Sequence, residues 1–484
     1  MGTGLFLQDL RIGLRVLLRE KGFCAMAVAV LALGICGVTT TFSVVNGVML
    51  RGFSFPNASR LVSVRFVDPT SRNFFGQNGQ VSAMDFEEMR RQQKSFELMA
   101  AYLNGSTVNA TVDGTPRRYT GAYVTDAFLR ILGVGPILGR DMRPEDNAPG
   151  AEKVALIGYG IWQSDFGGAA SVIGKVVRIN GTPATIVGVM PQGFAFPTNE
   201  QLWIPLYSEF PVRERNDPRA NSPAVLALLK PGVSTDQANA EVSALAKNFS
   251  EAYPETNKQF NAGLVEPLLK TYTPLPLRGT LLTMLAFCVG LLLIGCVNVM
   301  NMQFARATLR ARELAIRSSL GAGRGRLILQ MVTESLLVTF AGTAIGIGLA
   351  YYCTGLLSET VRNLDNPPPS WITFDIDGRV LAFSVVAMFG ATLVSGLLPA
   401  WLGSRAKLAE LMKEGGRAGT SRGTRLVMRG LVVLQVVVTC VLLIGSLLQA
   451  QSILKQQTID YGYDTEGVMS ARMGLMDGAY PSQA

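Results

Sequence analysis

Carboxylates gather in two short stretches of the chain, Glu87-Glu88 and Asp141 with Glu145-Asp146. A pair of carboxylic acids is the minimum equipment for acid–base work on a glycosidic bond. The rest of an active site does not assemble around them. There are no histidines, which removes the commonest general base, the commonest zinc ligand and the Ser-His-Asp arrangement together. With no recognisable nucleophile motif either, these carboxylates read as a solvated surface. Gly174-Lys175 superficially suggests a phosphate loop, but Ala169 stands where the first glycine belongs and Val176 replaces Ser/Thr, in what reads as a hairpin strand. Cys24, Cys36, Cys288, Cys296, Cys353 and Cys440 all lie in or beside apolar runs. They read as buried, inert thiols, and residues 50–278 contain no cysteine with which to form a disulfide. What remains is basic. Arg306, Arg310, Arg312, Arg317, Arg324 and Arg326 surround a single Glu313 between two long apolar runs. The chemistry of such a segment is charge pairing and docking. A short amphipathic element pinned at both ends is suited to carrying force between a partner and a bilayer.

The elements that hold it are membrane spans. The chain has 484 residues, 48% hydrophobic and 16% charged, where a soluble protein is about a quarter charged. Five stretches reach the ~20 apolar residues that cross a bilayer: Phe23–Leu50, Leu281–Phe304, Leu327–Leu357, Val380–Leu402 and Leu431–Gln451. The first is too long for a signal core and shows no clear cleavage site, so it reads as an uncleaved anchor. Residues 1–22 carry Arg11, Arg15, Arg19 and Lys21 against Asp9 and Glu20, net +2, and the second-to-third loop is net +5. The fourth-to-fifth loop carries Arg405, Lys407, Lys413, Arg417, Arg422, Arg425 and Arg429 against Glu410 and Glu414, again net +5. The chain's total is +9, so everything else sums to −3. The positive-inside rule places those three segments in the cytoplasm and residues 51–278 and 359–377 outside.

The fold class expected is therefore an α-helical transmembrane protein of about five spans, with a mixed α/β extracytoplasmic domain between the first two. In that domain Ser82 caps a helix with an acidic first turn and basic later turn. Ser234 and Gln237 form a capping box for another helix through Glu251. Hairpins are expected across Asp113-Gly114 and, more strongly, across Asn180-Gly181. Asn57, Asn109 and Asn180 match glycosylation sequons, a pattern common by chance.

Within the basic segment, Leu309, Ile316 and Leu320 fall on one stripe, with Arg306, Arg310 and Arg317 on its flank. Glu313 is one turn from Arg317, and Gly321-Ala322-Gly323 ends the helix. The bland reading is a lipid-surface helix acting as a topology signal. Glu334, ~12 Å along a helix from Arg326, reads as a structural pair near the interface. Asn298 and Asn301 read as interhelical hydrogen-bonders.

Arg312-Glu313-Leu-Ala315-Ile-Arg317 with Gly321-Ala322, followed by Leu327-Ile-Leu-Gln-Met-Val-Thr-Glu334-Ser335, resembles the FtsX-like permease domain of ABC transporters of the MacB/LolE/FtsX type. Leu132-Gly-Val-Gly-Pro136, Leu138-Gly-Arg140, Asn180-Gly181 and Val187-Gly-Val-Met-Pro191 are similar to the MacB-like periplasmic core domain. Glu20-Lys21 departs from the family's pattern, where relatives often show a proline, and carries little functional weight. The resemblance implies a non-catalytic subunit of the bacterial inner membrane that binds no cofactor itself, with ATP and Mg on a separate cytoplasmic ABC ATPase. It makes Arg312, Glu313, Ala315, Arg317, Gly321 and Ala322 the coupling helix that docks on that ATPase. Other expected partners are the bilayer and a second permease half or periplasmic adaptor; nucleic acid is not among them.

The domains expected are a cytoplasmic segment 1–22, a first span 23–50, a periplasmic core domain 51–278 and a permease domain 279–403 with its coupling helix at 306–326. A basic linker 404–430, a fifth span 431–451 and the start of a second external domain at 452–484 follow. The fifth span parallels the first, as in fused-repeat permeases, so the sequence reads as the first half and the start of the second. Two functional readings stand: a transporter permease for export, or an FtsX-like regulator acting on an external partner such as a cell-wall hydrolase. A membrane-anchored enzyme is a third, without a nucleophile or metal cluster to support it.

Overall fold

The computed structural model describes residues 15, 20–73, 76–112, 114–309, 316, 323–364, 367–403 and 422–457. They form two compact units. One is helical, from residues up to 47, 279–360 and 374 onward; the other joins 48–278 to 361–373.

Five helices are long and apolar enough to cross a membrane: span 1 (Lys21–Leu50), span 2 (Leu275–Arg306), span 3 (Arg324–Arg362), span 4 (Gly378–Trp401) and span 5 (Arg429–Ser452). Span 1 packs against three of the others. Gly342 and Gly346 of span 3 let the two backbones approach closely: a Cβ at Gly346 would lie 2.8 Å from the Ala32 carbonyl oxygen, and one at Gly342 2.9 Å from Leu31 Cβ. This small-xxx-small spacing is how helices associate in lipid, where apolar surface alone gives no drive. Gly34 of span 1 in turn receives Leu292 of span 2. Toward span 4 the contact is polar and aromatic, with Thr39 and Ser384 hydroxyls 3.0 Å apart and Phe42 stacked on Phe383 at 3.9 Å. Ser43 donates to the Phe374 carbonyl at 2.7 Å, and Asn46 donates to Asp377 at 2.8 Å. Asp377 also caps span 4 by accepting the Arg379 and Val380 amides. Span 5 touches span 2 at Gly290–Leu442 and Phe287–Gly445, and is otherwise exposed.

The second unit is built on one mixed sheet. Its strands are β1 (Leu61–Asn73), β2 (Gly76–Gln80), β3 (Phe96–Val112), β4 (Thr115–Val124), β5 (Leu138–Gly139), β6 (Val154–Ile157), β7 (Val176–Ile179), β8 (Thr182–Val189), β9 (Leu202–Pro205), β10 (Ala224–Leu229) and β11 (Ala262–Pro267). The order is β11-β1-β10-β3-β4-β9-β6-β8-β5, with β2 on β1 and β7 bridging β3 and β8. Strand side chains alternate between faces, and here both faces are buried. Val225, Ala227 and Leu229 of β10 enter one core with Val62, Val64 and Phe66 of β1, while Leu226 and Leu228 enter the other with Leu61 and Trp203. The first core is covered by the helices Ala83–Gln92 and Thr235–Ala252, through Phe86, Met89, Val242 and Phe249. Their expected caps are in place: Ser82 accepts the Asp85 amide, and Ser234 and Gln237 form a full capping box. The β7–β8 hairpin turns through Asn180 at φ 48° and Gly181 at φ 80°, the left-handed geometry an Asn-Gly turn supplies.

Candidate transmission site

The six residues Arg312, Glu313, Ala315, Arg317, Gly321 and Ala322 lie outside the described residues; within that segment only Ile316 is described, helical and 47% exposed. What is described is how the helices on either side of it end. The span 2 helix continues to Leu309, and span 3 begins at Arg324.

Arg306 organises these ends. The sequence places it on a basic flank beside the apolar stripe; the structure buries it, with its side chain 7% exposed. Its Nε lies 2.7 Å from Glu20 Oε2, Nη1 lies 3.6 Å from Glu334 Oε2, and its guanidinium sits 4.9 Å from the centre of the Phe23 ring. A buried arginine is tolerated only where opposite charge accompanies it, and this one has two carboxylates. Glu334, 6% exposed, is one of the two. Glu20, set aside in the sequence as a departure without weight, is the other half of the arrangement. Nearby, Gln303 donates to the buried Ser335 hydroxyl at 3.1 Å and supplies an interhelical bond. The buried Oδ1 of Asn301 accepts no hydrogen bond from the described residues.

A second convergence lies in the β-sheet unit. Phe53 and Phe55 follow span 1, Tyr272 precedes span 2, and Trp371 belongs to the connection between spans 3 and 4. These rings meet. Trp371 is 4.6 Å from Phe53 and 5.3 Å from Tyr272, and Phe196 lies 5.6 Å from Phe53 and 5.2 Å from Phe55. Hydrogen bonds fix the connection in place. Trp371 Nε1 donates to the Pro197 carbonyl at 3.2 Å, the Ser370 amide donates to Thr198 at 2.9 Å, and Asn199 donates to the Pro367 and Pro368 carbonyls. Arg51 donates to the Thr373 hydroxyl. Residues 361–373 are thus part of the same compact unit as 48–278.

The family model of the MacB-like periplasmic core domain matches residues 24–245, and that of the FtsX-like permease C-terminal matches residues 285–408. The chain belongs to the MacB/FtsX type of ABC transporter permease. The macrolide export ATP-binding/permease protein MacB of Salmonella paratyphi A is 29% identical over 251 residues, 50% of this chain and 34% of its own length. The uncharacterized ABC transporter permease YknZ of Bacillus subtilis is 25% identical over 311 residues, 63% of this chain and 70% of that protein. The permease therefore spans well under half of the MacB relative it matches. Among solved structures, the periplasmic region of MacB from Actinobacillus actinomycetemcomitans aligns with a TM-score of 0.32 at 13% identity, over 46% of this chain and 91% of that one.

The permease's external-type domain uses its carboxylates to tie segments together. Glu145 keeps the solvated surface expected for it, while Glu87, Glu88 and Asp146 are paired groups. Glu87 accepts the Tyr207 hydroxyl at 2.7 Å, and burial followed by the Glu87 charge raises that phenol above its ordinary range. Arg215 reaches Asp85 at 2.6 Å, pairs with Glu88 and lies 3.6 Å over the Tyr253 ring. Asp85 and Arg215 border a cleft of about 170 Å³ lined also by Gln80, Ser82 and Asn257. Its buried charges are matched within the protein, which makes it a latch between the 210–222 loop and the helix Ala83–Gln92. Among the described residues no three His, Cys, Asp or Glu side chains converge as metal ligands.

Proposed function

We propose that this permease is the non-catalytic membrane subunit of an ABC transporter, coupling ATP hydrolysis on a separate cytoplasmic ATPase to movement of its external domain for export or extrusion. The observation that carries the reading is the position of the segment 306–326. It lies inside the FtsX-like region, between two long apolar helices, with basic residues concentrated on it. In this reading Arg312, Glu313, Ala315 and Arg317 meet the ATPase, Gly321 and Ala322 turn the chain into span 3, and ATP and Mg stay on the partner. Residues 1–22, 306–326 and 404–430 face the cytoplasm of a bacterial inner membrane, as their positive charge favours. The aromatic contacts of Phe53, Tyr272 and Trp371 then give three chain connections a common anchorage in the external domain.

The test is co-purification of the detergent-solubilised chain with an ATP-hydrolysing subunit, alone and with Glu313→Arg and Arg317→Glu combined. The double reversal is expected to weaken association at least about tenfold, since charge pairs at a docking site set both affinity and partner choice. Unchanged association and unchanged ATPase stimulation would remove the coupling assignment.

A further inference from the structure

Arg306 stands at the meeting of three helices, and the way it is held differs from a settled ion pair. Its charge faces Glu20 at the start of span 1 and Glu334 in span 3, at 2.7 and 3.6 Å, with the Phe23 ring beneath it. Yet Nε, Nη1 and Nη2 complete no hydrogen bond of good geometry with the described residues. Hydrogen bonds weaken steeply with angle and distance, whereas Coulomb attraction falls only as the inverse of distance. A guanidinium held by charge and ring stacking therefore keeps its grip while its neighbours shift, as a directional bond would not.

The connectivity gives that grip a direction. Arg306 is on the continuous helix that enters the segment 310–322, and Glu334 is on the helix that leaves it. Both move directly with the segment. Span 1 has no chain connection to it, and at this level meets its neighbours through Glu20 and Phe23. We propose that Arg306 is a positioning residue that gears span 1 to the 310–322 segment, drawing Glu20 along as the segment moves and shifting its closer carboxylate between Glu20 and Glu334. Span 1 packs directly on spans 3 and 4 through Gly342, Gly346 and Ser384, so a displacement of its start reaches them both. The inference rests on the coupling reading above.

The test uses the full chain in complex with its ATPase subunit, and follows the ATP-dependent change in hydrogen exchange at residues 361–373. Arg306→Gln alone would take this cation away from a buried carboxylate, so the informative variant is Arg306→Gln with Glu334→Gln, which removes both buried charges together. It is expected to match the parent in thermal stability and ATPase association while the exchange response falls about tenfold, a typical size for a coupling term. A parental response in this variant overturns the proposal by reducing Arg306 to a structural pair. Loss of ATPase association also overturns it, by making Arg306 a docking residue. Arg306→Lys keeps the charge but reaches one carboxylate at a time, and serves if the double variant does not fold. Its response should again be reduced, and a parental one counts against the gear. If the unsubstituted complex shows no ATP-dependent response, the coupling reading itself fails and takes this inference with it.

Discussion

Asp146 accepts from Arg140 through both oxygens, at 2.6 and 2.9 Å, and from the Arg143 amide at 2.7 Å. Burial, the largest single influence, would raise its carboxyl, but the Arg140 bonds, the Arg143 amide and the charges of both arginines together outweigh it and bring the group below its ordinary 3.8. A carboxyl whose folded value is depressed contributes stability that is complete above the unfolded value and is lost as pH falls through the folded one. Asp146→Asn should therefore lower the melting temperature of the solubilised protein at neutral pH, with the gap to the parent closing as pH falls below 3.8. A gap that stays constant into acid would show that the charge plays no part. Asn180 is the complementary case, legible in the sequence for its turn but not for its contacts. Its Oδ1 accepts the Asn109 amide at 3.1 Å, and its Nδ2 donates to Tyr123 at 2.8 Å. Asn180→Ala loses both bonds and keeps the strained φ, at a cost of about 2–3 kcal/mol, read as a drop in the denaturation midpoint. Asn180→Gly relieves only the strain and should recover only part of the loss.

At the scale of elements, the apolar runs showed where the long apolar helices are, because twenty uninterrupted apolar residues have few other uses. They did not show which faces pack. Span 3 carries Gly342, Gly346 and Gly348 within seven positions, yet the first two abut span 1 and the third has open space around it. Local sequence contains no term that separates them, since the separation is made by Leu31, Ala32 and Ile35 on another helix. Gly346→Val should destabilise the helical unit by about 1–3 kcal/mol, because the Ala32 carbonyl and Ile35 side chain it meets at 2.8 and 3.0 Å cannot withdraw cheaply. Gly348→Ala should leave the melting temperature unchanged or slightly raised. Equal effects at the two positions would contradict the packing of span 1 on span 3. Arg306 escaped the sequence for the same reason. A basic residue beside a basic loop reads as interfacial, and its carboxylate partners Glu20 and Glu334 lie on two other helices, Glu20 at the start of one remote in sequence. The β-sheet unit was more legible, since its caps and turns at Ser82, Ser234 and Asn180-Gly181 are local chemistry. The docking of 361–373 onto it was not, because prolines 367–369 carry no periodicity to read.

For the molecule as a whole, that docking means the external-type domain is assembled from two separate stretches of chain, 48–278 and 361–373. A domain joined only at its two ends would answer to spans 1 and 2; this one is also continuous with the helices on either side of residues 361–373, spans 3 and 4. Trp371 is the fastening, with its ring against Phe53 and Tyr272 and its indole N–H on the Pro197 carbonyl. Trp371→Ala removes an aromatic side chain from a packed cluster and leaves that carbonyl without its donor, a loss of about 3–5 kcal/mol. Because Trp371 lies at the edge of the second core and is not among its buried members, the loss should fall on the fastening more than on the domain. Limited proteolysis of the full chain should then cut within 361–373 on the order of a hundredfold faster, since cleavage follows the population of the opened segment. Cleavage at exposed turns of the sheet, such as Asp217–Ala220, should keep its parental rate. Trp371→Phe keeps the ring contacts but not the N–H, and should fall between the two. If Trp371→Ala accelerates cleavage equally at both places, residue 371 supports the whole domain and not a separable strap; if neither site changes, the strap is held by Ser370 and Asn199 without it.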